Sequence, residues 1–189
     1  MYIFFDTETS GLPRNYNAPL TDFSNWPRVV QIAWLLTGQD GEELASAEHI
    51  IKPVGFRISA SAAKIHGITT EIALAEGIEL KTALEGFVTH VEQASCLVAH
   101  NVEFDEKILG AEFLRLGMAN PMKSKLRKCT MKEATNYCRL PGPYGYKWPS
   151  LTQLHQRLFN EPFANAHQAL SDVRATARCF FELKRLDVM

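Results

Sequence analysis

Tyr2-Ile3-Phe4-Phe5-Asp6-Thr7-Glu8-Thr9 is an apolar, β-prone run that turns acidic before Ser10-Gly11 ends it. It reads as a strand. Residues two apart on a strand share a face, so Asp6 and Glu8 project together at its carboxyl end. Val29-Val30-Gln31-Ile32-Ala33-Trp34-Leu35-Leu36-Thr37 reads as a second strand, Gln39-Asp40-Gly41 as a turn, and 44–52 as a third strand forming a hairpin with the second. A short helix is expected between a Ser59 cap and a Gly67 stop. Leu80, Leu84, Phe87, Val88 and Val91 recur at helical spacing over 79–94. Cys96-Leu97-Val98-Ala99 is a short buried strand, followed by a helix from about Val102 that stops at Gly117. A fifth strand near Lys128-Cys129-Thr130 leads into a helix ending at Cys138. Gly142 to Pro149 is a Gly/Pro/aromatic loop, and helices over 150–159 and 171–186 complete the pattern. Three early strands followed by alternating helices and strands predict one α/β domain over 1–189, a mixed five-stranded sheet flanked by helices.

The bulk properties narrow the function classes. A length of 189 residues suits one domain with a real core. The formal net charge of −1 argues against a protein that coats nucleic acid through a basic surface. Binding at a local site, with metal ions supplying the positive charge, needs no such excess. Cys96, Cys129, Cys138 and Cys179 form no CxxC pair, so reduced, buried thiols in a cytoplasmic setting are expected. Asp6 interrupts the apolar start before a signal-peptide core can form, and no apolar run approaches bilayer length.

Three acidic segments carry the chemistry. Asp6-Thr7-Glu8-Thr9 places two carboxylates side by side, a conflict that a hard divalent cation removes. A solvated strand end fits that segment equally well when it is taken alone. His100-Asn101-Val102-Glu103-Phe104-Asp105 spans a strand-to-helix junction. Asp105 shares a helical face with Ile108 and Leu109, which must pack on the sheet, so it is directed inward. Glu103 and Glu106 lie on other faces and suit the helix dipole. His167-Gln168-Ala169-Leu170-Ser171-Asp172 opens the last helix, with Val173, Ala177, Phe180 and Phe181 as its buried stripe. Four carboxylates in one cleft destabilise each other unless cations are present. Two divalent ions meet that demand and match a known way of cleaving phosphodiesters.

In this order the segments resemble the DEDDh exonuclease family, which includes the proofreading epsilon subunit of bacterial DNA polymerase III, ribonuclease T and oligoribonuclease. Its Asp-x-Glu matches Asp6 and Glu8. Its second motif matches Asn101 and Asp105. Its His-x4-Asp matches His167 and Asp172. The resemblance spans roughly residues 2–182 and implies a ribonuclease H-like fold. It implies that Asp6, Glu8, Asp105 and Asp172 hold two Mg²⁺ or Mn²⁺ ions, that His167 is the general base, and that nucleoside 5′-monophosphates leave a single-stranded 3′ end. It also implies that Leu12 wedges against the terminal base. Thr7 and Thr9 would offer backbone groups to the nucleotide, and Asn101 and His66 would also bind substrate. Ile65-His66-Gly67-Ile68 resembles a family stretch lining the nucleotide pocket; the plainer reading puts Ile65 in the core and makes Gly67 a helix stop. The chain ends soon after Asp172, without the polymerase-binding tail of the epsilon subunit. A stand-alone exonuclease, or one recruited by a polymerase or replication partner through another surface, is therefore expected, with no membrane partner.

Two further stretches have two readings each. The basic run Lys123 to Lys128 fits phosphate contact or a solvated loop, the latter slightly better. Tyr144, Tyr146 and Trp148 fit base stacking or anchoring of their loop. An RNA-trimming exoribonuclease, a catalytically silent nucleic-acid-binding module of the same fold, and a phosphatase are the alternatives. All five motif positions being filled argues against the silent module, and the paired Asp-x-Glu with a late His-x4-Asp favours diester hydrolysis over a phosphatase.

Overall fold

A computed structural model of the chain describes residues 1–161 and 168–189. Five strands, β1 (Tyr2–Thr9), β2 (Val29–Thr37), β3 (Glu43–Ile50), β4 (Cys96–Ala99) and β5 (Leu126–Cys129), form one sheet in the order β3-β2-β1-β4-β5. β1, β2 and β3 are antiparallel neighbours, whereas β4 and β5 run parallel to β1. The expected ribonuclease H-like mixed sheet is the fold of this chain.

β1 is central, and its period of two splits the core. Ile3 and Phe5 join Trp34, Leu84 and Phe87 on one face, under α3 (Leu80–Gln93) and α4 (Val102–Arg115). Phe4 joins Ala33, Leu35 and Val98 on the other, against Val173, Ala177 and Phe180 of α8 (Ala169–Arg185). Both faces of the strand are covered, so its first half reads as a continuous apolar run. Phe4 and Phe180 meet edge to face with centroids 5.3 Å apart.

The pairing of β1 with β4 ends at Phe4 opposite Val98. Asp6 and Glu8 thus extend past the carboxyl end of β4, where the chain turns into α4. This is the crevice outside the strand ends where open α/β sheets place their ligands.

The other helices are α1 (Ala60–His66), α2 (Thr70–Glu76), α5 (Thr130–Glu133), α6 (Thr135–Cys138) and α7 (Leu151–Phe159). α1 has the expected ends: Ser59 Oγ accepts from Ala62 N, and Gly67 closes the helix at φ 77°. α2 was not expected from the sequence, although Thr69 caps it by accepting from Ile72 N. The helix expected to run to Cys138 is split at Ala134 into α5 and α6. The Thr135 hydroxyl donates to the Met131 carbonyl at 3.0 Å, a back-bond that bends helices. The 142–149 loop contains a two-residue hairpin, β6 (Pro141–Gly142) with β7 (Gly145–Tyr146).

Three of the four charges in the basic run are committed to the fold. Lys125 donates to the carbonyls of Glu92 and Ala94 at the end of α3, Arg127 pairs with Glu106, and Lys128 pairs with Glu133. All four cysteines are buried free thiols. Among the described residues, no helix is long and apolar enough to cross a membrane.

Candidate active site

Phe4, Asp6 and Glu8 alternate along β1 and share the face covered by α8. That face changes from apolar to acidic along the strand, and α8 changes with it, from Phe180 and Ala177 back to Asp172 in its first turn. Carboxylate oxygens of Asp6, Glu8 and Asp172 lie within 4.8 Å of one another. Thr7 points to the opposite face and meets α4. Its backbone N–H (3.0 Å) and its hydroxyl (2.7 Å) both donate to Asp105 Oδ1. Asp105 is 2% exposed, as its position on the Ile108/Leu109 stripe required.

The acids strain each other. Burial pushes the Asp6 carboxyl well above its usual range, and the charges of Asp105, Glu8 and Asp172 push it further. Burial, then Asp172 and Asp105, raises Glu8 to about 8. Asp105 rises to about 7 through burial, with the two Thr7 hydrogen bonds holding it down. Hard oxygen donors this close, destabilised as anions, fit a divalent cation.

The start of α8 is fixed from the sheet. Gln168 makes no side-chain cap; instead Gln31 Oε1 accepts from Ala169 N at 3.4 Å and Glu48 Oε1 accepts from Leu170 N at 2.9 Å. These acceptors satisfy helix N–H groups that would otherwise be orphaned. α8 therefore begins at Ala169, two residues before the expected start, and Asp172 sits within its first turn. Neither Gln31 nor Glu48 was singled out in the sequence. Gln31 had a signal: it interrupts an apolar strand, and a buried amide needs a partner.

A cavity of about 490 Å³ opens beside Glu8. Thr7, Thr9, Leu12, Ile65, His66 and Phe104 line it. Leu12 is 73% exposed and Ile65 59% exposed, so neither belongs to the core. Thr9 donates its hydroxyl to Gly11 O at 2.6 Å, holding the turn that presents Leu12. Buried His66 accepts through Nδ1 from Ile68 N at 3.1 Å. Asn101, at φ 82°, lines a neighbouring cavity. The donors of Thr7 face Asp105, so its part at the cavity is as lining. His167 lies outside the described residues.

The family model described as Exonuclease matches residues 3–180. The chain belongs to the DEDDh 3′–5′ exonuclease family. No curated protein matches it in sequence. Among solved structures, this exonuclease chain is similar to E. coli exonuclease I in complex with a dT13 oligonucleotide, with TM-score 0.76 and 20% identity over 98% of this chain and 42% of that one. The zinc-ion-bound form of the E. coli exonuclease I–single-stranded DNA complex gives TM-score 0.70 and 23% identity over 98% and 40%. Exonuclease I from Methylocaldum szegediense gives 0.68 and 22% over 97% and 40%. These TM-scores show a shared fold, and the chain spans about 40% of the length of those proteins.

Proposed function

We propose that this chain is a metal-dependent exonuclease that removes nucleoside 5′-monophosphates one at a time from a single-stranded 3′ end. The observation that carries this reading is the cluster of Asp6, Glu8 and Asp172 beside a cavity rimmed by exposed Leu12 and Ile65. Asp6, Glu8 and Asp172, with Asp105 behind them, would hold two Mg²⁺ or Mn²⁺ ions. When bound, such ions lower the pKa of a water and neutralise the charge that builds on the phosphate oxygens. The chain's own residues orient the strand. Leu12 and Ile65 take the terminal base between them, and His66 closes the floor of the cavity. His167, five residues before Asp172, takes the proton of the attacking water. The water oxygen bonds to phosphorus, the bond to the 3′ oxygen of the preceding nucleotide breaks, and that oxygen takes up a proton from solvent as His167 returns its own to solvent. His167→Ala should lower kcat by roughly 10²–10⁴.

DNA is the favoured strand, because a relative of this fold has been solved holding dT13. Incubation with 3′-labelled and 5′-labelled single strands of DNA and RNA tests the reading. Immediate release of a labelled mononucleotide from the 3′ label, and a shrinking ladder from the 5′ label, are expected. Nicking of a circular single strand, or full activity in excess chelator, would overturn it.

A further inference from the structure

A second cavity, of about 390 Å³, adjoins the first. Phe104 lines both. Tyr16 and Trp148 form its other aromatic walls, and Trp148 is 60% exposed. The rings of Tyr16 and Phe104 lie 6.3 Å apart, and Lys132 Nζ stands 5.8 Å from the Trp148 ring. Glu103 fixes two ammonium groups at this cleft, Lys107 at 2.7 Å and Lys132 at 3.0 Å. Lys107 also donates to the Tyr16 carbonyl at 2.9 Å. Two cations and one anion leave the cleft net positive, next to a cluster of acids.

Trp148 is exposed yet anchored. His100 Nε2 lies 3.0 Å from the carbonyl of neighbouring Pro149, and its Nδ1 lies 3.0 Å from Thr130 Oγ1. Burial holds this ring neutral, near pKa 4. Since Pro149 O can only accept, Nε2–H donates to it and Nδ1 accepts from the Thr130 hydroxyl. Ser150 then caps α7 through a capping box with Gln153. The indole is thus presented from a segment tied down immediately after it, at Pro149 and Ser150.

Exposed aromatic faces interleaved with ammonium groups are the means by which proteins hold single strands without reading sequence: bases stack and phosphates pair. The cleft volume lies within the roughly 300–1,000 Å³ of ligand pockets. We infer that the Tyr16/Phe104/Trp148 cleft holds the stretch of single strand immediately 5′ of the terminal nucleotide, stacking its bases while Lys107 and Lys132 meet its phosphates. This rests on the proposed exonuclease reading, because continuity through Phe104 gives the strand its direction.

The test compares two substrates in one enzyme preparation. The p-nitrophenyl ester of thymidine 5′-monophosphate reaches only the acidic site; dT10 or rU10 also reaches the cleft. The readout is the ratio of kcat/KM for the oligomer to that for the ester, which cancels any change in folded fraction. In Trp148→Ala the ratio should fall about 5- to 100-fold, the usual effect of losing one stacked base. Trp148→Phe should restore most of it. Lys132→Ala should make the salt dependence of oligomer KM shallower, by a log–log slope of about 0.7. An equal fall for dT10 and rU10 assigns the cleft to any single strand, and a fall for one alone assigns it to that strand. A Trp148→Ala ratio within twofold of wild type overturns the inference and leaves the exonuclease reading standing. If wild type cleaves neither substrate, the exonuclease reading fails. Binding of 5′-fluorescein dT10 to Asp6→Asn, with and without Trp148→Ala, then decides the cleft: a 5- to 100-fold rise in Kd supports it and no change overturns it.

Discussion

Asp105 and Glu112 ride on the same buried stripe of α4, about two turns apart, and the fold treats them in opposite ways. Glu112 is 0% exposed and is met by Arg28 Nε at 2.8 Å, Arg115 Nη1 at 3.1 Å and Val29 N at 3.1 Å. Asp105 is met by neutral donors from Thr7 and faces the Asp6, Glu8 and Asp172 cluster. A carboxylate that serves architecture receives cations from its own chain, because an unpaired buried charge costs several kcal/mol. The carboxylates at the crevice press on one another, and a cation from solution would relieve them. Burial does not separate the two kinds of acid; the identity of the partner does.

The largest effect expected from breaking this contrast is at Asp6. Asp6→Asn should cut exonuclease activity by roughly 10³-fold or more, several kcal/mol of lost charge stabilisation. Yet it should raise the metal-free Tm by roughly 2–6 °C, because a repelling charge is gone. Calorimetry in chelator checks this; a lower Tm would make Asp6 a structural acid like Glu112. The converse holds for Glu112→Gln. Leaving two arginines without their buried counter-ion should cost about 3–5 kcal/mol, a fall in Tm of roughly 6–20 °C, and added Mg²⁺ should not restore the lost stability. Thermal melts with and without the metal measure it, and rescue by Mg²⁺ would erase the distinction between the two acids.

Thr7→Val sharpens the comparison at smaller scale. It removes the hydroxyl from Asp105 but keeps the backbone donor. Affinity for Mn²⁺ should weaken about 10–100-fold with little loss of fold, as when the hydrogen-bonded support of a ligand is removed. Titration calorimetry measures this, and an unchanged affinity would mean that Thr7 serves packing alone. The last test is in pH. Glu8 is raised from 4.5 to about 8 in the folded chain. An acid raised on folding stabilises the fold while protonated, so that contribution is complete below its unfolded value and disappears as pH climbs through about 8. The metal-free Tm should therefore fall between pH 5 and pH 8.5, and saturating Mg²⁺ should remove the fall. A metal-free Tm that rises over this range would contradict the shift at Glu8.

Much of this was legible in the residues. The period of two in β1 put Asp6 and Glu8 on one face, and the Ile108/Leu109 spacing turned Asp105 inward. Ser59 and Gly67 marked both ends of α1, because capping is local chemistry. The split at Ala134 escaped because Thr135 is an ordinary helix residue until its hydroxyl bends the backbone. Glu112 was passed over for a related reason: an acid on a stripe of apolar residues reads as a solvated side chain until its arginines are seen.

What the sequence determined by itself was the five strands of the sheet, the helices other than α2, and the presence of acids at their ends, since periodicity, caps and side-chain direction act over a few residues. Only the tertiary structure decided that α8 starts on acceptors from Gln31 and Glu48, that Arg28 and Arg115 belong to Glu112, and that Tyr16, Phe104 and Trp148 wall one cleft. Those partners lie up to 138 residues apart in the chain, and nothing in a local pattern specifies which distant side chain will satisfy a buried polar group. That choice is made by the sheet order and register, which bring the carboxyl ends of β1 and β4 to the first turns of α4 and α8.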